Sequence, residues 1–317
     1  MFVGVFLMCC SVGWFCVFST LIQFFDLYPS DVILVRASIQ AAILGAILVW
    51  QGHPLTVTKE SVRLAFLASF ANLLFPTVIH LLPLGTGTIL SHSAVGFTAF
   101  FAWILLKEPV SGMKGVCIVA IFLGQLMVVQ PPFLFDRYVP SQILGIDQYL
   151  GICMGVLSGA AFGLLLVLGS MTGVPTEHYV LIASFPGIFF GFLVGLKSSK
   201  SQIFSVGVEE LMIVLPKVTA CGVFGVLGFV FLVASMGKCP SVLQSLLSST
   251  ECVVSFVVQV LLFKQEMNYI NVLGATIVLV ALTTATMIDH YRLKKPKGYS
   301  KLMKEDINVI QEIEIMN

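Results

Sequence analysis

A bilayer's hydrocarbon is crossed by a helix of about 20 residues, and this 317-residue chain offers an apolar stretch of that length ten times. The stretches lie at roughly 2–25, 31–50, 62–82, 87–106, 112–130, 149–170, 176–196, 215–236, 241–263 and 268–288, bounded by charges, Pro or Gly. A more polar connector at 131–148, "PPFLFDRYVPSQILGIDQ", separates two sets of five, and a polar tail follows Ile288. The opening "MFVGVFLMCCSVGWFCVFST" has neither a basic start nor a small-residue cleavage site, so it reads as a retained first helix. Hydrophobic residues make up 58% of the chain and charged ones 10%, against about 25% charged in soluble domains. Too little polar surface remains to cover a globule in water. A net charge of +1 gives no basic face for nucleic acid.

The two sets of five echo each other. "LLKEPVSGMKG" joins the fourth and fifth stretches and "LLFKQEMNYINVLG" the ninth and tenth: an apolar helix end, then Lys and Glu, then a glycine opening the next span. An odd number of spans per copy turns the second copy upside down. The expected fold is therefore an all-α polytopic membrane protein of ten transmembrane helices, built as two inverted five-helix repeats. The repeats occupy 1–130 and 149–288, with the connector at 131–148 and a cytosolic tail at 289–317. Transporters use this architecture, with the site at the midplane between repeats. With both termini cytosolic, eleven Lys and Arg fall inside and five outside, the direction of the positive-inside bias. Six of the eleven lie in the tail; without them the sides balance.

The ninth stretch carries an acid in its middle. On a helix, Gln244, Ser248, Glu251, Ser255 and Gln259 fall within an arc of roughly 80°, while the remaining surface is mainly Leu, Val, Phe and small residues. Glu251 stands roughly 15 Å from either end of that span. A carboxylate at this depth costs about 2.5–3.5 kcal/mol even on insertion scales, so the stripe is expected to face the interior. There Glu251 would serve a substrate or proton path; a neutral acid locked between helices is the structural alternative.

Polar residues on other stretches offer partners. Arg36 and Gln40 are one turn apart in "VRASIQ", Asn72, Pro76 and His80 follow at intervals of four, and "TILSHSAVG" brings Thr88, Ser91, His92 and Gly96 to one side. Arg36 reads either as a snorkelling interface residue or as the counter-charge of Glu251 or of an anionic substrate. His92 reads as a core histidine or, beside a carboxylate, as part of a proton exchange. His80 reads as an interface residue. The candidate substrate-binding or coupling set is Glu251, Arg36, Gln40, His92, Ser255 and Gln259. Glycines recur every fourth residue at 151, 155, 159 and 163 and at 187, 191 and 195, and every third at 222, 225 and 228. Such stripes let helices approach closely; internal packing is the expectation and homodimerisation the alternative. Seven of eight Cys lie in apolar runs and read as small core residues. No metal-ligand spacing, GxSxG or phosphate-binding glycine loop occurs, so neither an enzyme nor a cofactor is expected.

"VRASIQAAIL" and "TGTILSHSAVGFTAFFAWILLKEPVSGMKGVCIVAIFLGQLMVVQPPFLF" resemble the drug/metabolite transporter superfamily with its paired EamA-type repeats. "FAWILLKE" and "VVQPPFLF" are most similar to the G branch of solute carrier family 35. The resemblance implies ten helices, cytosolic termini and an acid in the ninth span, as at Glu251. Val95 stands where the family has a helix-breaking proline in the fourth span. The lysine-bearing motifs of nucleotide-sugar carriers are not evident, so that substrate class does not carry over. The expected function is secondary-active transport of a small polar organic solute by alternating access, by proton coupling or exchange; the alternative is a non-transporting membrane regulator acting through its tail. Expected partners are the small-molecule substrate and the lipid bilayer, in the plasma membrane or an endomembrane (endosome, lysosome or ER). Lys294, Lys295, Lys297 and Arg292 would rest on anionic headgroups. "GYSKL" resembles a tyrosine-based sorting signal read by clathrin adaptors, at Tyr299–Leu302, a pattern short enough to occur by chance.

Overall fold

The computed structural model describes residues 2–52, 57–82, 84–107, 112–129, 146–172, 176–236, 238, 240–264 and 268–294. Most of the connector at 131–148 and the sorting pattern at Tyr299–Leu302 lie outside the described residues. Among those described there are twelve helices: α1 Phe2–Phe24, α2 Pro29–Gln51, α3 Lys59–Leu81, α4 Leu84–Ser91, α5 Ala94–Leu105, α6 Gly112–Val129, α7 Ile146–Thr172, α8 Thr176–Lys197, α9 Val208–Ser235, α10 Ser241–Ser248, α11 Thr250–Phe263 and α12 Tyr269–Lys294. The stretches α4–α5 and α10–α11 each make one span. Among the described residues eight spans are long and apolar enough to cross a membrane, and shorter apolar runs at Gly115–Met127 and Tyr269–Ala285 lie within α6 and α12. Large apolar side chains such as Phe6, Trp103 and Phe189 point outward. The chain is an all-α polytopic membrane protein.

Local chemistry sets the ends. Pro29 stands in the first turn of α2, and Gly52 closes it at φ 65°, a conformation that costs a residue without Cβ little. Thr58 and Ser61 cap α3 reciprocally: the Ser61 amide donates to Thr58 Oγ1 at 3.1 Å, and the Thr58 amide donates to Ser61 Oγ at 2.8 Å. Asp31, buried in the first turn of α2, accepts from Ser201 Oγ and from the Gln202 amide, both at 2.6 Å, and from the Ile203 amide at 3.3 Å. One carboxylate thus ties the α8–α9 turn to α2. The last helix runs to Lys294, past the expected end of the tenth span at 288.

Two spans break internally, and neither break contains a proline or glycine. Around His92 and Ser93 the backbone tightens to bonds across three residues: Ser93 N–H to Leu90 O, Val95 N–H to His92 O and Gly96 N–H to Ser93 O, at 3.2, 3.2 and 3.1 Å. In the ninth span Cys252 N–H donates to Ser249 O at 3.1 Å. There, Ser248 and Ser249 hydroxyls both turn back onto Ser245 O, at 2.7 and 3.0 Å, competition of the kind that bends helices. The fourth span therefore bends despite Val95, and the polar stripe of the ninth runs along two helices rather than one. The breaks sit at matching places in "LSHSAV" and "LSSTEC". Both spans also end on a lysine in the left-handed region, Lys107 at φ 51° and Lys264 at φ 50°.

Packing follows the same correspondence. The first span lies against the eighth, the second against the seventh and eighth, the third against the sixth and seventh, the fourth against the sixth and ninth, the first against the ninth, and the fifth against the tenth. Exchanging the two sets of five maps each pairing onto itself or another in the set. The glycine stripes supply the close approaches. A Cβ at Gly163 would meet Thr98 N at 2.9 Å and Ala94 O at 3.0 Å, one at Gly191 would meet Leu34 N at 2.8 Å, and one at Gly228 would touch the Phe15 ring at 3.1 Å. Backbone atoms cannot yield to a methyl group as a flexible side chain can. Gly163→Val is therefore expected to lower stability in detergent by about 1–3 kcal/mol. Gly13→Ala, whose Cβ would meet nothing within 4 Å, is expected to leave thermal unfolding unchanged or to raise it slightly. Equal shifts in the two melting curves would contradict the packing.

Candidate functional site

Glu251 opens α11 immediately after the Ser249 break, and His92 lies in the break between α4 and α5. Each broken span thus delivers one titratable side chain to the interior. Both are buried, at 3% and 5% exposure, and His92 Nε2 lies 3.1 Å from Glu251 Oε2. The contact is an ion pair when the imidazole carries both protons; with one proton, Nε2 donates to the carboxylate if that proton is on Nε2 and accepts from a protonated Glu251 if it is on Nδ1. Ser19 Oγ, from α1, donates to Glu251 Oε1 at 3.4 Å. A carboxylate in low dielectric needs such partners, because removing the partner of a buried charge costs about 3–5 kcal/mol.

The pair faces a narrow cavity between the helices. Its apolar wall is made by Phe15 of α1, Phe75 of α3, Phe162 and Leu165 of α7 and Phe229 of α9. Its polar groups are Asn72, Ser91, His92, Ser158 and Glu251. His92 Nδ1 and Ser91 Oγ are buried with no hydrogen-bond partner in the protein, the signature of a cavity built to hold polar groups. The wall draws on spans from both sets of five.

The other candidate residues separate. The whole stripe Gln244, Ser248, Glu251, Ser255 and Gln259 is buried, but four of its members hold different partners. Gln244 Nε2 donates to Ser235 Oγ at 2.9 Å and Ser248 to Ser245 O at 2.7 Å. Gln259 Oε1 accepts from the Gly85 amide in a short contact, and Gln23 Oε1 accepts from the neighbouring Leu84 amide at 3.0 Å. Two glutamines thus cap α4 at its start, while Glu251 holds the residue just past its end. Ser255 lies buried between them on α11. Arg36 does not snorkel: it is 4% exposed, with its guanidinium among aromatic rings and no ion pair to Glu251. Gln40 donates to Val180 O at 2.7 Å and Ser184 Oγ at 3.1 Å. Both line a second, smaller cavity that shares Asn72 with the first. His80 stands at the helix end, 3.8 Å from Asp26 and edge-on to Tyr28, as an interface residue. Ser19, Gln23 and Ser158 carry no signal in the sequence that separates them from ordinary small or polar residues in apolar helices. Among the described residues no three His, Cys, Asp or Glu side chains cluster as metal ligands would.

Comparison with known proteins shows what the chain is similar to. Residues 2–130 match the EamA-like transporter family. The chain is 25% identical over 239 residues to human solute carrier family 35 member G1, covering 72% of this chain and 62% of that protein. The mouse protein of the same name is 22% identical over 213 residues, 64% of this chain and 55% of its own. A probable purine permease 5 from Arabidopsis thaliana is 27% identical over 110 residues, 35% of this chain and 30% of its own. The matched region spans less than two thirds of the length of each of these relatives. A solved crystal structure superposes with a TM-score of 0.66 over 90% of this chain and 98% of its own, at 12% identity, a likeness of fold alone.

The geometry of the buried pair generates a direct test. In a double-mutant cycle, His92→Ala and Glu251→Gln are expected to be non-additive in thermal or denaturant unfolding, with a coupling of about 1–3 kcal/mol. Effects that sum to within about 0.5 kcal/mol would mean that the two side chains do not interact.

Proposed function

We propose that this chain, placed in the drug/metabolite transporter superfamily by its EamA-like residues 2–130 and its similarity to the G branch of solute carrier family 35, is a secondary-active carrier of a small polar organic solute. The observation that carries the proposal is the Glu251–His92 contact on the wall of a cavity enclosed by helices from both halves. A buried carboxylate in a membrane span is a functional site by default, and this one is held by a group that gives and takes protons. Glu251 acts as the coupling acid: it takes up a proton from water on one side of the membrane and releases it to water on the other, with His92 beside it as the relay, and the solute occupies the cavity.

Two inverted repeats, 1–130 and 149–288, rock about this site, with 131–148 crossing between them and 289–317 on the cytosolic side. The exchange symmetry of the helix pairings, the matched breaks and the two left-handed lysines support that arrangement. The fourth and ninth spans are the moving parts. Their breaks flank the acid–histidine pair, and α4 is fastened to α11 at both ends, by Gln259 and by Glu251. Discontinuous helices at the midplane are how such carriers bind solute and coupling ion.

The test uses purified full-length protein in liposomes exposed to a metabolite extract under a pH gradient, with mass spectrometry of the lumen. The wild-type protein is expected to accumulate at least one solute above protein-free liposomes. Glu251→Gln is expected to lose gradient-driven accumulation by about tenfold or more, the scale of a two-ligand coupling. Wild-type vesicles that gain nothing, or a Glu251→Gln protein that concentrates the same solute equally well, would refute the carrier.

A further inference from the structure

Arg36 is a cation with no anion. It lies within α2, 4% exposed, and among the described residues the ion pairs are His80–Asp26 and His92–Glu251. Its Cζ stands 5.2 Å from the Phe18 ring centroid, 5.5 Å from that of Phe229 and 5.8 Å from that of Phe15. The ring faces attract a cation through their quadrupoles, but they do not satisfy the N–H donors of a guanidinium as oxygen acceptors do. Nη2 accordingly has no hydrogen-bond partner. The surroundings make room for this side chain: a Cβ at Gly225 of α9 would lie 2.9 Å from Arg36 Cδ, and one at Gly222 3.3 Å from its backbone.

The second cavity supplies what the guanidinium lacks. Arg36, Gln40, Ser69 and Asn72 form its polar wall, and among the described residues no acid lines it. Ser69 already donates to Ala65 O and Ala183 O, and the Gln40 amide nitrogen to Val180 O and Ser184 Oγ. Arg36 and the Asn72 amide remain as donors. A single guanidinium beside an amide, facing no negative charge, suits a monoanion. A carboxylate matches the planar fork with two parallel hydrogen bonds. Asn72 also lines the first cavity, whose walls are Phe15, Phe75, Phe162, Leu165 and Phe229. Glu251 is meanwhile matched by His92 within its own cavity, so Arg36 is left for the ligand.

We propose that Arg36 binds the carboxylate of the solute, a small monocarboxylic acid whose apolar body lies among the phenylalanines of the adjoining cavity. That this acid is carried across the membrane rests on the function proposed above; that it binds does not. Arg36 fixes the head, Asn72 bridges the two compartments, and the rings of Phe15 and Phe229, which touch both the guanidinium and the larger cavity, join the two parts of the site.

Thermal unfolding of the purified protein in detergent, with phenylacetate and butyrate against phenylacetamide and butyramide, tests the proposal. At least one acid is expected to raise the melting temperature saturably, and its amide at equal concentration is not. Arg36→Gln should weaken the acid's apparent affinity about thirtyfold or more, while Arg36→Lys retains part of it. Without ligand, Arg36→Gln should melt no lower than wild type, since it removes an unpaired buried charge; a guanidinium serving only as a structural brace would make it melt lower. No stabilisation of the wild-type protein by either acid, equal stabilisation by acid and amide, or wild-type acid affinity in Arg36→Gln would each overturn the proposal. The wild-type comparison alone decides if Arg36→Gln fails to fold. Acid binding without flux in vesicles would sink the carrier and leave this site standing; flux indifferent to Arg36 would do the reverse.

Discussion

A carboxylate enclosed by a bundle that itself lies in lipid must be matched where it stands, because burial strips it of most of the hydration it has in bulk water. Here the match is one imidazole, from the other half of the chain, at 3.1 Å. Much else in the centre of the molecule follows from that requirement. His92 reaches Glu251 from the turn where α4 gives way to α5, and Glu251 stands in the first turn after the corresponding bend in the ninth span. The hydroxyls of Ser248 and Ser249 pull on the carbonyl of Ser245 at that bend. The bends and the pair form one construction.

The surrounding helices serve it by closeness on one side and space on the other. The glycines of α7 let its backbone lie against α4 and the start of α5, holding the His92 turn. On the same helix Ser158, Phe162 and Leu165 turn toward the cavity. In α9, Gly225 admits the Arg36 side chain and Gly222 its backbone, and the rings of Phe15, Phe18 and Phe229 then enclose the guanidinium. Small residues thus do two jobs: packing helices, and making room for a charged group that packing alone would exclude.

The spans were legible because crossing hydrocarbon imposes length and apolarity on every residue run; the stretch read as 62–82 is the helix Lys59–Leu81, and that read as 176–196 is Thr176–Lys197. The burial of the stripe around Glu251 was legible from helical periodicity. The bend at His92 was not, because its signal is a register of backbone bonds rather than a Pro or Gly. Nor was the fate of Arg36, since its cage joins two rings of the preceding helix to Phe229 of α9, far away in sequence. Gln40 does line a cavity but spends its amide nitrogen on Val180 O, and the side-chain oxygen of Gln259 accepts from the Gly85 amide. A polar residue in a membrane span announces that it needs a partner, not which one.

The central claim is that the Glu251–His92 pair borders a space reached by water rather than a dry core. Cysteine accessibility measures that directly. In a cysteine-free background, Ser158→Cys on the cavity wall should react with a small charged thiosulfonate added to the protein in vesicles, and Leu166→Cys, in the fully buried packed core of the same helix, should not. A Ser158→Cys protein as inert as the Leu166→Cys protein, from both sides of the membrane and across pH, would contradict the account.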